Sequence, residues 1–401
     1  MDRFDLLKKL AEKNDEKIVY LIFDGVGDLS AGKGTPLEAA KCPHLDAIAA
    51  RSTCGFAVPI APGITPGSGP AHLSLFGYDP LKFDIGRGIL SALGVNFDIK
   101  GGDVAARVNF ATIDANGLVS DRRAGRIPTE TCVKLCEKLN QIKLPGVEIF
   151  FQPEKEHRAA FILRGEGLSG LLSDTDPQAT GKKPLPATPT SEDPKAKYTA
   201  DLANQFIAKA FELLKDDAPA NGLLLRGFDG YEQLPQMQEI YKLNPAAIAA
   251  YPMYKGVARL VGMDVLKTGD VPADEFVTLK EQWNNYDYFF VHIKKTDSYG
   301  EDGNFDAKVH VIEEVDALLP QLLELNPSVL LVTGDHSTPC PWKAHSFHPV
   351  PVMLCSQEAR IDKVTEFNET ACIAGGLGTM PMVDMMALCL AHAKKLAKYG
   401  A

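Results

Sequence analysis

Asp24, Asp297 and the adjacent pair Asp335–His336 each follow an apolar, strand-like run, and the runs lie far apart in the chain: KIVYLIF, YDYFFVHIKK and SVLLVTG. Carboxylates and an imidazole delivered from several strand ends are ligand types for divalent metals. The end of an open α/β sheet is where such folds place their ligands. Two successive residues at one strand end can reach two ions, so the pattern outlines a two-metal site suited to phosphoryl transfer. Between Asp24 and Asp297, the loop TPGSGPAH presents Ser68 and, four residues on, His72. Because AHLSLFGY can start a helix, the Ser68 hydroxyl is expected to face free backbone N–H groups and the positive end of a helix dipole. No GxSxG motif surrounds it, so a metal rather than a histidine is the expected activator of this nucleophile. Singly, Asp24 reads as a cap or turn residue and Ser68 as a turn serine. Together with Asp297, Asp335, His336 and nearby His345 in KAHSFHPVPVML, those ordinary readings lose ground. Of the other histidines, His157 and His292 are outside candidates.

Arginines supply the complementary charge. Arg87 lies in GRG, Arg107 in ARVNF, Arg122, Arg123 and Arg126 in DRRAGR, and Arg226 in LLLRG, while YKGVAR carries Lys255 and Arg259. A guanidinium binds phosphate or carboxylate with two parallel hydrogen bonds, which suits a small substrate carrying both groups. The formal net charge of −10 disfavours nucleic acid and anionic membranes as partners. Two nucleotide motifs fail on inspection. GDLSAGKG continues with Gly34 where a P-loop needs the Ser or Thr that holds magnesium, and the GVG at 25–27 lacks the third glycine of a dinucleotide fold.

These residues must be positioned by a chain of 401 residues, long enough for two domains. The apolar runs bearing the metal-type residues form a core from 1–97 and 248–401. The stretch 98–247 reads as an inserted cap domain, with VEIFFQ, HRAAFILR and GLLLRGF as strands and DLANQFIAKAFELLK as an amphipathic helix. The polar, proline-rich segment 173–197 is expected to be an ordered-to-mobile loop of that insert. Strand 286–293, helix 305–324 and strand 329–333 make a βαβ unit, so the core sheet is expected to be mostly parallel. No apolar run approaches a membrane span, and MDRFDLLKKLAEKNDEK reads as a mixed-charge amphipathic helix rather than a secretory signal, which points to the cytoplasm. The eight cysteines are sparse, and Cys132 and Cys136 are spaced as a helical pair, so buried reduced thiols are expected.

Taken together, IFDGVGD, GKGTPLEAAKCPHLD, PGSGPAHLSLFGYDP, GDVAARVNFATID, DRRAGRI, AAYPMYKGVARLVGM, TDSYGEDGNFDAKV and TGDHSTPC with AHSFHPVPV resemble the archaeal-type cofactor-independent phosphoglycerate mutases of the alkaline phosphatase superfamily. The resemblance implies an alkaline-phosphatase-like α/β core with helices flanking a mostly parallel sheet, and an inserted α+β cap. It also implies interconversion of 3- and 2-phosphoglycerate through a phosphoserine on Ser68. One metal would be held by Asp24, Ser68, Asp335 and His336, and the second by Asp297, Glu301 and His345. Many relatives have histidine where this chain has Glu301, and a carboxylate favours hard ions, so manganese or magnesium is expected, with cobalt or zinc as alternatives. Neither bisphosphoglycerate nor a nucleotide is required. A metal-dependent phosphomonoesterase or another phosphomutase of the superfamily is the nearest rival. A metal-binding regulatory protein without catalysis is a third reading.

Overall fold

The computed structural model describes residues 2–30, 32–83 and 85–400; Ala31, inside the Gly27–Gly34 run, lies outside them. The first strands are β1 (Ile18–Phe23) and β2 (Thr53–Val58). Then follow β3 (Val104–Ile113), β4 (Val119–Asp121), β5 (Glu148–Pro153), β6 (Arg158–Arg164) and β7 (Gly222–Gly230). The remainder are β8 (Pro245–Ala249), β9 (Asp264–Val265), β10 (Tyr288–Ile293), β11 (Val329–Thr333), β12 (Val350–Ser356) and β13 (Gly378–Pro381). Two compact units result. Ile85–Gln233 forms one, and the residues before and after it form the other.

The flanking unit holds an eight-stranded sheet in the order β13-β2-β12-β11-β1-β10-β8-β9. From β11 to β9 all neighbours are parallel, and β12 alone runs against its neighbours. Every residue of β1, β10, β11 and β8 is buried. That explains why these runs are continuously apolar instead of alternating: helices cover both faces of a parallel sheet. β1 lies between β10 and β11, with Phe23 opposite Ile293 and Ile22 opposite Thr333. The three strands therefore end together, and the residues that follow them converge. The expected βαβ unit is present as β10, helix Phe305–Glu324 and β11, with a short helix, Lys295–Asp302, added after β10 and closed by Gly303 in the left-handed region.

The other unit is a five-stranded antiparallel sheet in the order β4-β3-β6-β5, with β7 on the second edge of β3. Helices Thr129–Leu139 and Pro194–Leu214 pack on it. Their apolar stripes enclose Phe110, Phe151, Phe161 and Phe206, with Phe206 at 4.5 Å from the Phe161 ring. Helix Arg87–Gly94 lies against β3 so closely that a Cβ on Gly88 would stand 2.0 Å from the Ala105 carbonyl oxygen.

Several sequence expectations shift. The units divide at 85 and 234 rather than at 98 and 248, because helix Arg87–Gly94 packs on the insert's sheet and the residues up to β8 belong with the core sheet. The N-terminal helix is confined to Arg3–Leu10, where only Leu7 is buried. Segment 173–197 is pinned rather than loose: Thr175 and Asp176 are buried, the Thr175 amide donates to Leu225, and the last residues begin helix Pro194–Leu214. Among the described residues no helix is long and apolar enough to cross a membrane. All eight cysteines are free thiols, Cys132 and Cys136 among them with sulfurs 3.9 Å apart.

Candidate metal centre and active site

The ends of β1, β10 and β11 bring Asp24, Asp297, Asp335 and His336 together, and the loop before β12 adds His345. Asp24, Asp335 and His336 form one group whose ligand atoms lie within 4.8 Å of one another; Asp297, His336 and His345 form a second, so His336 belongs to both. Its Nε2 is 3.4 Å from Asp24 Oδ1 and 3.1 Å from Asp335 Oδ2, while His345 Nε2 is 3.5 Å from Asp297 Oδ1. The two imidazoles stack at 3.6 Å.

Hydrogen bonds set which nitrogens are free. The Thr338 hydroxyl has one proton and gives it to Asp297 Oδ1 at 2.7 Å, so the contact of 2.9 Å with His336 Nδ1 requires that nitrogen to donate. His336 Nε2 then keeps its lone pair. His345 Nδ1 likewise donates to the Pro66 carbonyl at 2.9 Å and leaves Nε2 free. This is the arrangement by which backbone or hydroxyl partners orient metal-ligating histidines. Gly25 makes the turn after β1 at φ +61, and a Cβ there would stand 2.8 Å from Asp297 Oδ1.

The site fits cations. Asp24 Oδ1, Asp335 Oδ2 and His336 Nε2 are buried without a hydrogen-bond partner among the described residues, a costly condition unless another group binds them; Asp24 Oδ2 instead faces the Lys294 ammonium at 3.0 Å. Burial pushes Asp335 well above the usual carboxylate range, and the charge of Asp24 adds to this. Burial acts on Asp24 in the same sense, but the neighbouring His292 imidazole, 3.4 Å from Oδ2, and the Lys294 charge overcome it and hold Asp24 well below that range. Burial lowers His336 too, keeping it neutral and able to ligate. Clustered carboxylates that cannot all ionise side by side, facing neutral imidazoles, match the donor chemistry of hard and borderline dications.

Ser68 opens helix Ser68–Leu75, with Gly67 as its extended N-cap. Its carbonyl accepts from His72 Nδ1 at 2.8 Å, and that nitrogen is 3.3 Å from Asp335 Oδ2. Burial, with repulsion from His292, brings His72 down to about 3, so this imidazole is a neutral brace between the serine's backbone and a carboxylate. Glu301 stands apart. Its carboxylate is 3.9 Å from His345 Nε2, its side chain is 55% exposed, and it joins neither group.

The insert assembles the arginines. Burial, followed by repulsion from Arg158, Arg226 and Arg87, lowers Arg107, whose Nε has no partner among the described residues. Arg226 Nε is also without one and lies 3.6 Å from Asp176 Oδ2. Arg122 differs: it forks onto Asp176 at 2.9 and 2.7 Å, so its guanidinium is already engaged. Arg123 and Arg126 are exposed and lie close enough to His157 to depress it, after burial and Arg158. Arg87 is exposed at the start of its helix. Lys255 belongs to the other unit, half-buried on helix Pro252–Leu260.

Sequence reasoning passed over Arg158, Lys294, Thr338 and Lys308. Lys308 is fully buried and donates to the Gly25 and Thr338 carbonyls and to Asp28, tying two ligand-bearing loops from behind. Only Lys294 left a signal, as a charge at the very end of the apolar β10 run.

Comparison with known proteins supplies the rest. A family model for 2,3-bisphosphoglycerate-independent phosphoglycerate mutase matches residues 49–221. A Thermosipho africanus protein is 53% identical over 404 residues, and one from Thermus thermophilus 51% over 408, each alignment covering all of both chains; both are described as probable 2,3-bisphosphoglycerate-independent phosphoglycerate mutases. Among solved structures, a Pyrococcus horikoshii protein superposes with a TM-score of 0.80 at 29% identity, covering 97% of this chain and 100% of its own. The cofactor-independent phosphoglycerate mutase of Thermoplasma acidophilum gives 0.79 at 30%, covering 94% and 100%. Full-length identity above one half places this chain in the 2,3-bisphosphoglycerate-independent phosphoglycerate mutase family.

Proposed function

We propose that the chain interconverts 3- and 2-phosphoglycerate through a phosphoserine on Ser68, at a centre of two divalent ions. Asp24, Ser68, Asp335 and His336 hold one ion, and Asp297, Glu301 and His345 the other. Manganese or magnesium suits this oxygen-rich set, with cobalt or zinc as alternatives. The observation that carries the reading is the pair of ligand groups sharing His336, with Asp24 Oδ1 and Asp335 Oδ2 buried and without a hydrogen bond among the described residues. Bound there, the dications supply Lewis-acid charge that favours the Ser68 alkoxide and neutralises the phosphoryl oxygens.

The chain's own residues do the remaining work. Ser68 Oγ bonds to phosphorus as the bond from phosphorus to the 3-oxygen of glycerate breaks, and the serine's proton ends on that oxygen. In the second half the 2-hydroxyl loses its proton and attacks, the Oγ–P bond breaks, and Ser68 regains a proton. His72 fixes the serine's backbone during both halves. Arginines of the insert, Arg107 and Arg226 foremost because their Nε groups are free, hold the glycerate between the two transfers, and the insert acts as the cap that limits water. Such an enzyme needs neither bisphosphoglycerate nor a nucleotide, and it suits a cytoplasmic location.

The test is a coupled assay with 3-phosphoglycerate and Mn²⁺. The expected product is 2-phosphoglycerate, with activity abolished by chelation and restored by added metal. Ser68→Ala should cost at least about three orders of magnitude, as loss of a nucleophile does. Full activity after chelation, or substantial mutase activity in Ser68→Ala, would overturn the reading. Inorganic phosphate as the main product would instead make this chain a phosphomonoesterase.

A further inference from the structure

Lys294 directly follows β10 and caps helix Lys295–Asp302. Its ammonium is 3.0 Å from Asp24 Oδ2, pairs with Asp297 Oδ2 and donates to the Tyr254 hydroxyl at 3.2 Å. The rings of Tyr251 and Tyr254 lie 5.8 and 5.5 Å away, and only 21% of the side chain is exposed. The pairing divides each carboxylate by function. Asp24 turns Oδ1 toward His336 and Oδ2 toward Lys294; Asp297 turns Oδ1 toward His345 and Oδ2 toward Lys294. One fixed cation therefore touches one acid from each ligand group, on the oxygen that faces away from that group's histidine. His292 Nε2, 3.4 Å from Asp24 Oδ2, reinforces the division on one side.

We propose that Lys294 is the positioning residue of the binuclear centre. It holds Asp24 and Asp297 so that each offers a single oxygen to its own ion, and its charge moderates the affinity of both positions. The inference rests on the two-metal reading above. A carboxylate with both oxygens free can chelate one ion with two bonds or bridge two ions, and either change would displace the ions from the in-line geometry that phosphoryl transfer needs. Removing a unit positive charge a few ångströms from two dications should also tighten their binding, by at least about tenfold even with the screening of bulk water. A lysine that served only to hold the fold would have the reverse signature: without it, metal binding and stability would fall together.

The experiment compares wild type, Lys294→Met and Lys294→Arg by Mn²⁺ calorimetry, thermal melting and turnover at saturating Mn²⁺. Wild type is expected to take up two ions. Lys294→Met should bind Mn²⁺ at least about tenfold more tightly yet turn over about a hundredfold more slowly, while Lys294→Arg, which keeps the charge, should return to near wild-type affinity. If Lys294→Met does not fold, Lys294→Gln takes its place. Unchanged or weaker Mn²⁺ binding in the uncharged variant, or turnover within a fewfold of wild type, would overturn the role of Lys294 and leave the two-metal reading standing. Wild type that takes up fewer than two ions would sink both.

Discussion

The core unit and the insert each leave one sign of charge unsatisfied, and they do so differently. In the core, Asp24, Asp335 and His336 are wholly buried at the ends of parallel strands, with Asp24 Oδ1 and Asp335 Oδ2 both turned to His336 Nε2 and none of the three atoms hydrogen-bonded among the described residues. In the insert, Arg107 and Arg226 sit half-buried on an antiparallel sheet, repel each other and each keep an Nε without a hydrogen bond among the described residues. Uncompensated charge is expensive in either place. Deep burial suits small ions that stay, since a dry site strengthens every metal–ligand attraction. Partial exposure suits a substrate that must enter and leave. The insert also carries its own control: Arg122 is fully forked by Asp176, so neighbouring arginines of one sheet divide into an engaged one and two with free Nε groups.

The largest effect that would sharpen this contrast concerns Glu301, at the exposed margin of the core site. If it completes the second ion's shell, Glu301→Ala should weaken uptake of one Mn²⁺ of two by at least about tenfold to a hundredfold, the cost of losing even an outer-shell partner of a metal ligand, with turnover falling in step at limiting metal. Calorimetry showing two unaltered ions would return Glu301 to the surface and make Asp302 the next ligand to test.

In the insert, Arg107→Met is expected to raise the KM for 3-phosphoglycerate roughly tenfold, the scale of one charge-assisted contact. The melting temperature should hold steady or rise, because burial and the like charges of Arg158, Arg226 and Arg87 together outweigh the attraction of Glu154 for this cation. A lower melting point with unchanged KM would make Arg107 a structural residue and break the comparison.

The smallest effect lies away from both sites. Glu369, which accepts from the Asp28 amide and the Thr35 hydroxyl, is pushed by burial from 4.5 up to about 7. A carboxyl whose pKa is raised in the folded state stabilises the fold fully below its unfolded value, and that contribution is lost as pH rises through about 7. Wild type should therefore lose on the order of 1–3 kcal/mol between pH 5 and 8, and Glu369→Gln should flatten the slope in chemical denaturation. Parallel pH profiles for the two proteins would contradict this.

Much of the core was legible from sequence because its signals are local. A fully buried parallel strand must be an unbroken apolar run, so IVYLIF, YFFVHI and VLLVT declare themselves, and polar residues just beyond such runs stand out as Asp24, Asp297 and Asp335–His336 do. The insert's strands and long helix were readable for the same reason. What sequence could not decide is which groups meet. Nothing in the sequence assigns Lys294 a partner; it is a bridge because β1 sits between β10 and β11 and brings Asp24 to its ammonium. Lys308 carries no distinguishing signal in the sequence, and only packing buries it behind two ligand loops. DRRAGR read as three equivalent arginines, whereas Asp176, more than fifty residues along the chain, claims Arg122 alone. Periodicity and strand ends follow from each residue's neighbours in sequence. Charge pairing depends on distances of a few ångströms between segments hundreds of residues apart, and only the folded chain sets those.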